Sequence, residues 1–227
     1  MNALPMGPGE AARQAILQTR LVAILRHVPT PLVGGVAQAL AAGGVRALEV
    51  TFPSPHADAG RDTASAIGHL VRTLPGEVAV GAGTVLTVDQ VEQAAQAGAS
   101  FIVSPNTDQR VIARASELGL AALPGAATAT ECLAAHAAGA SLVKLFPAGS
   151  LGLGYVKDLL QPLAGLPLVA VGGVNLDNAH QFIQAGCVAV GVGGSLVDQR
   201  LVQAQEFGQL RANAAEFLRV AQGLGGK

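Results

Sequence analysis

Short, wholly apolar runs alternate with Ala-rich stretches of mixed polarity along this 227-residue chain. The runs Leu21–Leu25, Ala47–Phe52, Val78–Ala82, Phe101–Ser104, Ala121–Leu123, Leu142–Phe146, Leu168–Val171 and Ala189–Val192 predict eight strands. They are continuous rather than alternating, as strands are when both faces of their sheet are covered. Helices are predicted at about 31–42, 56–73, 88–97, 107–118, 128–138, 154–163, 176–185 and 201–222, with an additional one at about 9–18. Small-residue breaks such as Ala42-Gly43-Gly44, Ala97-Gly98-Ala99 and Ala138-Gly139-Ala140 recur between helix and strand. Glycine there accepts the left-handed conformation that ends a helix. Eight βα units predict an α/β fold, a closed (β/α)8 TIM barrel with an additional N-terminal helix; a doubly wound open sheet is the alternative. No low-complexity linker divides residues 1–227, which read as one domain with the barrel proper at about 20–200.

Composition limits what such a barrel does. Half the chain (50%) is hydrophobic and only 3% is aromatic, so the core is aliphatic. A net charge of −1, with no basic run interleaved with aromatics, argues against a nucleic-acid partner. No apolar run reaches the ~18 residues of a membrane span, and residues 1–10 lack the pattern of a signal peptide. A cytoplasmic location without membrane partners is expected. Cys132 and Cys187 have no CxxC spacing and read as buried free thiols. His27, His56, His69, His136 and His180 share no metal-ligand spacing, and His136 and His180 read as helix-surface residues. No metal or other cofactor is expected.

Against this background a few residues stand out. Lys144 lies inside the apolar run Ser141-Leu142-Val143-Lys144-Leu145-Phe146-Pro147 of a chain with three lysines and eleven arginines. Burying a cation is costly and favours the neutral amine, which is a nucleophile toward carbonyl carbon. Arginine stays protonated and cannot serve this way. A lysine that snorkels to solvent is the bland alternative. Glu49, in Leu48-Glu49-Val50-Thr51, is equally out of place: it either pairs with a cation such as Arg26 or Lys144, or works as an acid/base. Catalytic groups of such barrels lie at the C-terminal ends of strands. There the chain places Arg26, Gly83-Thr84, Ser104-Pro105-Asn106, Pro124-Gly125, Gly172-Gly173 and Gly193-Gly194-Ser195. The glycine pairs after strands seven and eight suit a phosphate, which backbone N–H groups can approach closely. Thr84 could instead cap the next helix, a role for which Thr87 competes. Phe146 and Tyr155 read as packing residues.

Glu49-Val50-Thr51, Gly81-Ala82-Gly83-Thr84-Val85-Leu86, Ser104-Pro105-Asn106, Pro124-Gly125, Lys144-Leu145-Phe146-Pro147 and Gly172-Gly173-Val174 occur in that order. Over about residues 20–200 the chain thereby resembles the bacterial class I aldolases that cleave 2-keto-3-deoxy-6-phospho sugar acids, including the 4-hydroxy-2-oxoglutarate aldolases. The resemblance implies a barrel that needs no metal or organic cofactor, commonly a homotrimer, acting on a phosphorylated keto sugar acid to give pyruvate and glyceraldehyde 3-phosphate. It implies Lys144 as the Schiff-base lysine and Glu49 as the general acid/base. Thr84 and Pro105 would line the pyruvate half, with Phe146 beside the lysine. Gly172, Gly173 and Ser195, with Gly193 and Gly194, would hold the phosphate. The phosphogluconate branch usually carries Arg four residues after the glutamate, where this chain has Pro53. That leaves Arg26 for the substrate carboxylate. Pro53 and Val171 both resemble the phosphogalactonate branch. The rival readings are a phosphosugar isomerase or epimerase, and a non-catalytic barrel that binds phosphometabolites.

Overall fold

The computed structural model describes residues 6–53 and 60–224. Nine strand segments form one parallel sheet in the order β5-β4-β3-β2-β1-β9-β8-β7-β6. They are β1 (Leu21–Leu25), β2 (Ala47–Thr51), β3 (Ala79–Gly83), β4 (Phe101–Val103), β5 (Ala121–Leu123), β6 (Gly125–Ala126), β7 (Val143–Leu145), β8 (Leu168–Val171) and β9 (Ala189–Val192). β5 is the predicted fifth strand, and β6, which the apolar runs did not predict, continues it beyond a break at Pro124. Proline has no N–H to give to a ladder; β5 pairs with β4, and β6 with β7. The two ends of the sheet are therefore one stretch of chain. The sheet curls into a nearly closed barrel with eight strand positions, and the open-sheet alternative falls.

The helices are α1 (Pro8–Thr19), α2 (Val33–Ala42), α3 (Gly60–Thr73), α4 (Val88–Gln96), α5 (Gln109–Glu117), α6 (Ala129–Ala137), α7 (Ala148–Leu160), α8 (Ala179–Gln184), α9 (Gln199–Gln203) and α10 (Phe207–Ala221). Three differ from expectation. The predicted start of the 56–73 helix lies outside the described residues. The 154–163 helix begins earlier, at Ala148, and is kinked at Gly152, whose φ is 83°. The 201–222 helix is two helices, because the chain turns at Gln205 with φ 54°. Thr87, not Thr84, caps α4, accepting from the Gln90 N–H in a capping box.

Side-chain alternation divides the core in two. Val22, Ile24, Ala47, Phe101, Val103, Leu123, Leu142, Val169 and Val171 fill the barrel interior. Leu21, Ala23, Leu25, Leu48, Val50 and Val143 face outward, into the layer shared with the helices. Ala12 and Ile16 of α1 belong to the interior cluster, so α1 lies across the N-terminal end of the barrel. The Gly9 N–H donates to the Gly119 carbonyl at 3.0 Å, and a Cβ on Gly9 would meet the Ala121 nitrogen at 2.6 Å. With its floor closed, the barrel opens to solvent at the C-terminal ends of its strands.

Candidate active site

Among the described residues, the buried polar or charged side chains are Glu49, Thr63, Ser104 and Lys144. Two of these, Glu49 on β2 and Lys144 on β7, line one cavity of about 220 Å³ at the C-terminal mouth. Both follow from strand alternation: Glu49 lies two residues after inward-facing Ala47, and Lys144 two after inward-facing Leu142. Arg26, Phe146, Gly172, Gly173, Gly193, Gly194 and Ser195 line the same cavity. Five strands or strand ends thus deliver nearly the whole predicted set to one place. Thr84 lines an adjoining cavity of about 520 Å³, to which Arg26 also belongs. Pro105 lines neither cavity; it is half-buried, and its carbonyl abuts Gly125 so closely that a side chain there would collide with it.

The electrostatics of the pair are unusual. Lys144 is 5% exposed and Glu49 2%, yet among the described residues the two make no ion pair within 4.0 Å and neither head group has a hydrogen-bond partner. Burial lowers the Lys144 amine below the usual lysine value, with the Glu49 carboxylate opposing and Arg26 reinforcing. Burial likewise raises the Glu49 carboxyl, against the pull of Lys144 and Arg26. Each group is pushed toward its neutral form, the opposite of a stabilising salt bridge. Lys144 Nζ stands 5.0 Å from the centroid of the Phe146 ring, which is 36% exposed at the cavity edge.

The opposite wall is backbone. Gly172 and Gly173 are both left-handed, with φ of 89° and 74°, a conformation open to glycine and strained for other residues. A side chain on Gly172 would also press on the Phe146 ring, at 3.0 Å. The N–H groups of Leu196 and Val197 both donate to the Gly193 carbonyl, at 2.9 and 2.8 Å. Those of Gly194 and Ser195 have no acceptor among the described residues. The two glycine turns present donors and no side-chain bulk, a surface suited to an anion.

Ile24, Val171, Val174 and Gly191 also line the cavity and were not among the predicted site residues. Strand parity could have found Ile24 and Gly191, since each faces inward. Thr84 has φ 58°, rare for a β-branched residue and a mark of local strain at a strand end. The remaining expectations lie away from the cavity. Tyr155 donates to the Ala127 carbonyl at 2.6 Å. Cys132 and Cys187 are buried free thiols, with pKa values pushed up by desolvation to about 11 and about 12. His136 is exposed, whereas His180 is half-buried with an unpartnered Nδ1. His56 lies outside the described residues. Among the described residues no helix is long and apolar enough to cross a membrane, and no three His, Cys, Asp or Glu are grouped to hold a metal ion.

Known proteins share both the sequence and the architecture. Residues 13–212 match the family model described as KDPG and KHG aldolase. A probable 2-dehydro-3-deoxy-6-phosphogalactonate aldolase of Rhizobium meliloti is 38% identical over 197 residues, covering 86% of each chain. A 2-dehydro-3-deoxy-phosphogluconate aldolase of Treponema pallidum is 37% identical over 186 residues, 82% of this chain and 85% of that one. A solved structure described as native KDPGal superposes with a TM-score of 0.79 at 34% identity, over 89% of this chain and 94% of the other. With a family model spanning most of its length and relatives of this similarity, the chain belongs to the KDPG and KHG aldolase family.

Proposed function

We propose that this protein is a class I aldolase that cleaves a 2-keto-3-deoxy-6-phospho sugar acid to pyruvate and glyceraldehyde 3-phosphate. The observation that carries the reading is the buried Lys144, unpaired among the described residues, lining one cavity with Glu49. The neutral Lys144 amine adds to the C2 ketone, and loss of water gives an iminium. Glu49 takes the proton of the C4 hydroxyl, the C3–C4 bond breaks, and its electrons pass to the iminium to leave an enamine. The aldehyde departs, C3 is protonated with Glu49 as acid, and water releases pyruvate and the free amine. A carboxyl that burial raises above its usual range suits both tasks, because it gives up and takes back a proton more evenly than an ordinary exposed carboxylate.

Arg26 is assigned to the C1 carboxylate. Gly172, Gly173, Gly193, Gly194 and Ser195 are assigned to the phosphate, whose binding would orient the distant reacting bond. Thr84 and Pro105 are assigned to the rim of the pyruvate half and Phe146 to the flank of the lysine. Relatives named for the galactonate and for the gluconate substrate are almost equally similar, so overall identity does not choose between them. Pro53 and Val171 favour the galactonate type. The family resemblance further supports a cytoplasmic homotrimer.

The test is steady-state cleavage of both synthetic epimers, with pyruvate release as the readout. Lys144→Arg should lower turnover by about a thousandfold or more, the scale seen when a nucleophile is removed, although a long basic side chain is kept. Substantial residual turnover in that variant would sink the Schiff-base assignment.

A further inference from the structure

Two inward-facing glycines on β3 have different neighbours. Gly81 stands opposite Glu49 in the β2–β3 ladder and Gly83 opposite Thr51. A Cβ on Gly81 would meet the Phe101 ring at 2.5 Å, and Phe101 is fully buried. The space over Gly81 therefore belongs to Phe101, and the Glu49 side chain cannot lie across its own ladder partner. It leans one step toward the mouth. There a Cβ on Gly83 would overlap Oε1 of Glu49 and lie 2.6 Å from its Cγ. The carboxylate occupies the volume of the side chain that Gly83 lacks. The backbone around it is tied down: the Phe52 N–H donates to the Gly83 carbonyl at 2.8 Å, and the Val85 N–H to the Val103 carbonyl at 3.1 Å.

We infer that Gly83 is a positioning residue for Glu49, its missing Cβ forming the seat that holds the carboxylate against β3 and apart from the Lys144 amine. This rests on the roles assigned to Lys144 and Glu49 above. A side chain at position 83 meets the far end of a flexible side chain rather than backbone, so the carboxylate moves while the strand stays. With Phe101 beneath it, the carboxylate has the cavity to move into. The charged groups that face it there are Lys144 from β7 and Arg26 from the end of β1. A carboxylate nearer the amine stabilises the ammonium form and removes the nucleophile.

The experiment is Gly83→Ala in the full chain, alone and combined with Glu49→Ala. It records kcat and KM of cleavage against pH, borohydride trapping of pyruvate, and melting temperature. Gly83→Ala alone should lower kcat about a hundredfold, the loss typical of a ~1 Å misplacement, and move the acid limb of the profile to higher pH. In the Glu49→Ala background it should change neither residual trapping nor melting temperature. A Gly83→Ala protein that keeps kcat within about twofold overturns the inference; so does an equal loss in both backgrounds. If Gly83→Ala fails to fold, folding of the double variant supports the seat and its failure refutes it. Failure of the aldolase reading itself appears separately, as a wild-type protein that traps no pyruvate. The melting-temperature cycle still reads the seat in that case.

Discussion

At the scale of single residues, Lys144 and Glu49 are placed at the expense of stability. Below the lysine value of 10.5, the unfolded chain binds a proton that the folded chain resists, because burial depresses the folded pKa. Stability contributed through Lys144 therefore rises with pH across the window between the depressed value and 10.5. Glu49 runs the other way. Its folded pKa lies above 4.5, so the folded chain holds the extra proton, and stability falls as pH climbs through that window. Lys144→Met should accordingly stabilise the protein at neutral pH by about 1 kcal/mol or more, roughly 2–4 °C in Tm for a chain of this size, while abolishing cleavage. A lower melting temperature would contradict the buried-charge account. Glu49→Gln should leave pyruvate trapping on Lys144 measurable but slow cleavage about 10²–10⁴-fold, the range for a lost general acid/base. Lys144 and Glu49 were legible in the sequence because a charge inside an apolar run is conspicuous. Gly83 and Thr84 were legible only as strand-end residues: nothing in a string of residues reports a left-handed backbone at Thr84, or which glycine lacks a Cβ because a carboxylate from the neighbouring strand fills its place.

At the scale of elements, continuous apolar runs located the strands well. β1, β5, β8 and β9 have the predicted limits, since strands covered on both faces leave no polar position to blur their ends. The misses have local causes. Pro124 breaks a ladder whose apolar pattern continues through it. Gly149, Gly152 and Gly154 hid the first turns of α7, which begin beside the Gly172 carbonyl where the Gly149 N–H donates at 2.7 Å. The turn at Gln205 had no glycine or proline to announce it. The N-terminal helix is the element whose removal should matter most to the barrel floor. Ile16 on α1 is fully buried in the interior cluster. Ile16→Ala should cost about 2–4 kcal/mol by denaturant unfolding, as large-to-small core changes do. Trapping on Lys144 in the folded protein should survive, because floor and mouth are opposite ends of the barrel. A loss below about 1 kcal/mol would show that α1 is not part of the core.

At the scale of the molecule, function depends on bringing separate strands to one mouth. Arg26, Glu49 and Lys144 come from β1, β2 and β7, and the glycine turns from the ends of β8 and β9. In a chain that is only 13% charged, a cavity lined by Arg26, Lys144 and Glu49 is a marked concentration of ionisable groups, and the substrate class proposed for it is anionic. The proposed chemistry turns on a covalent bond between Lys144 and pyruvate. Its most direct test is mass spectrometry with peptide mapping after incubation with pyruvate and borohydride. A single pyruvate-derived adduct on the peptide containing Lys144 is expected. A well-folded protein with no adduct, or with the adduct on Lys157, would contradict it.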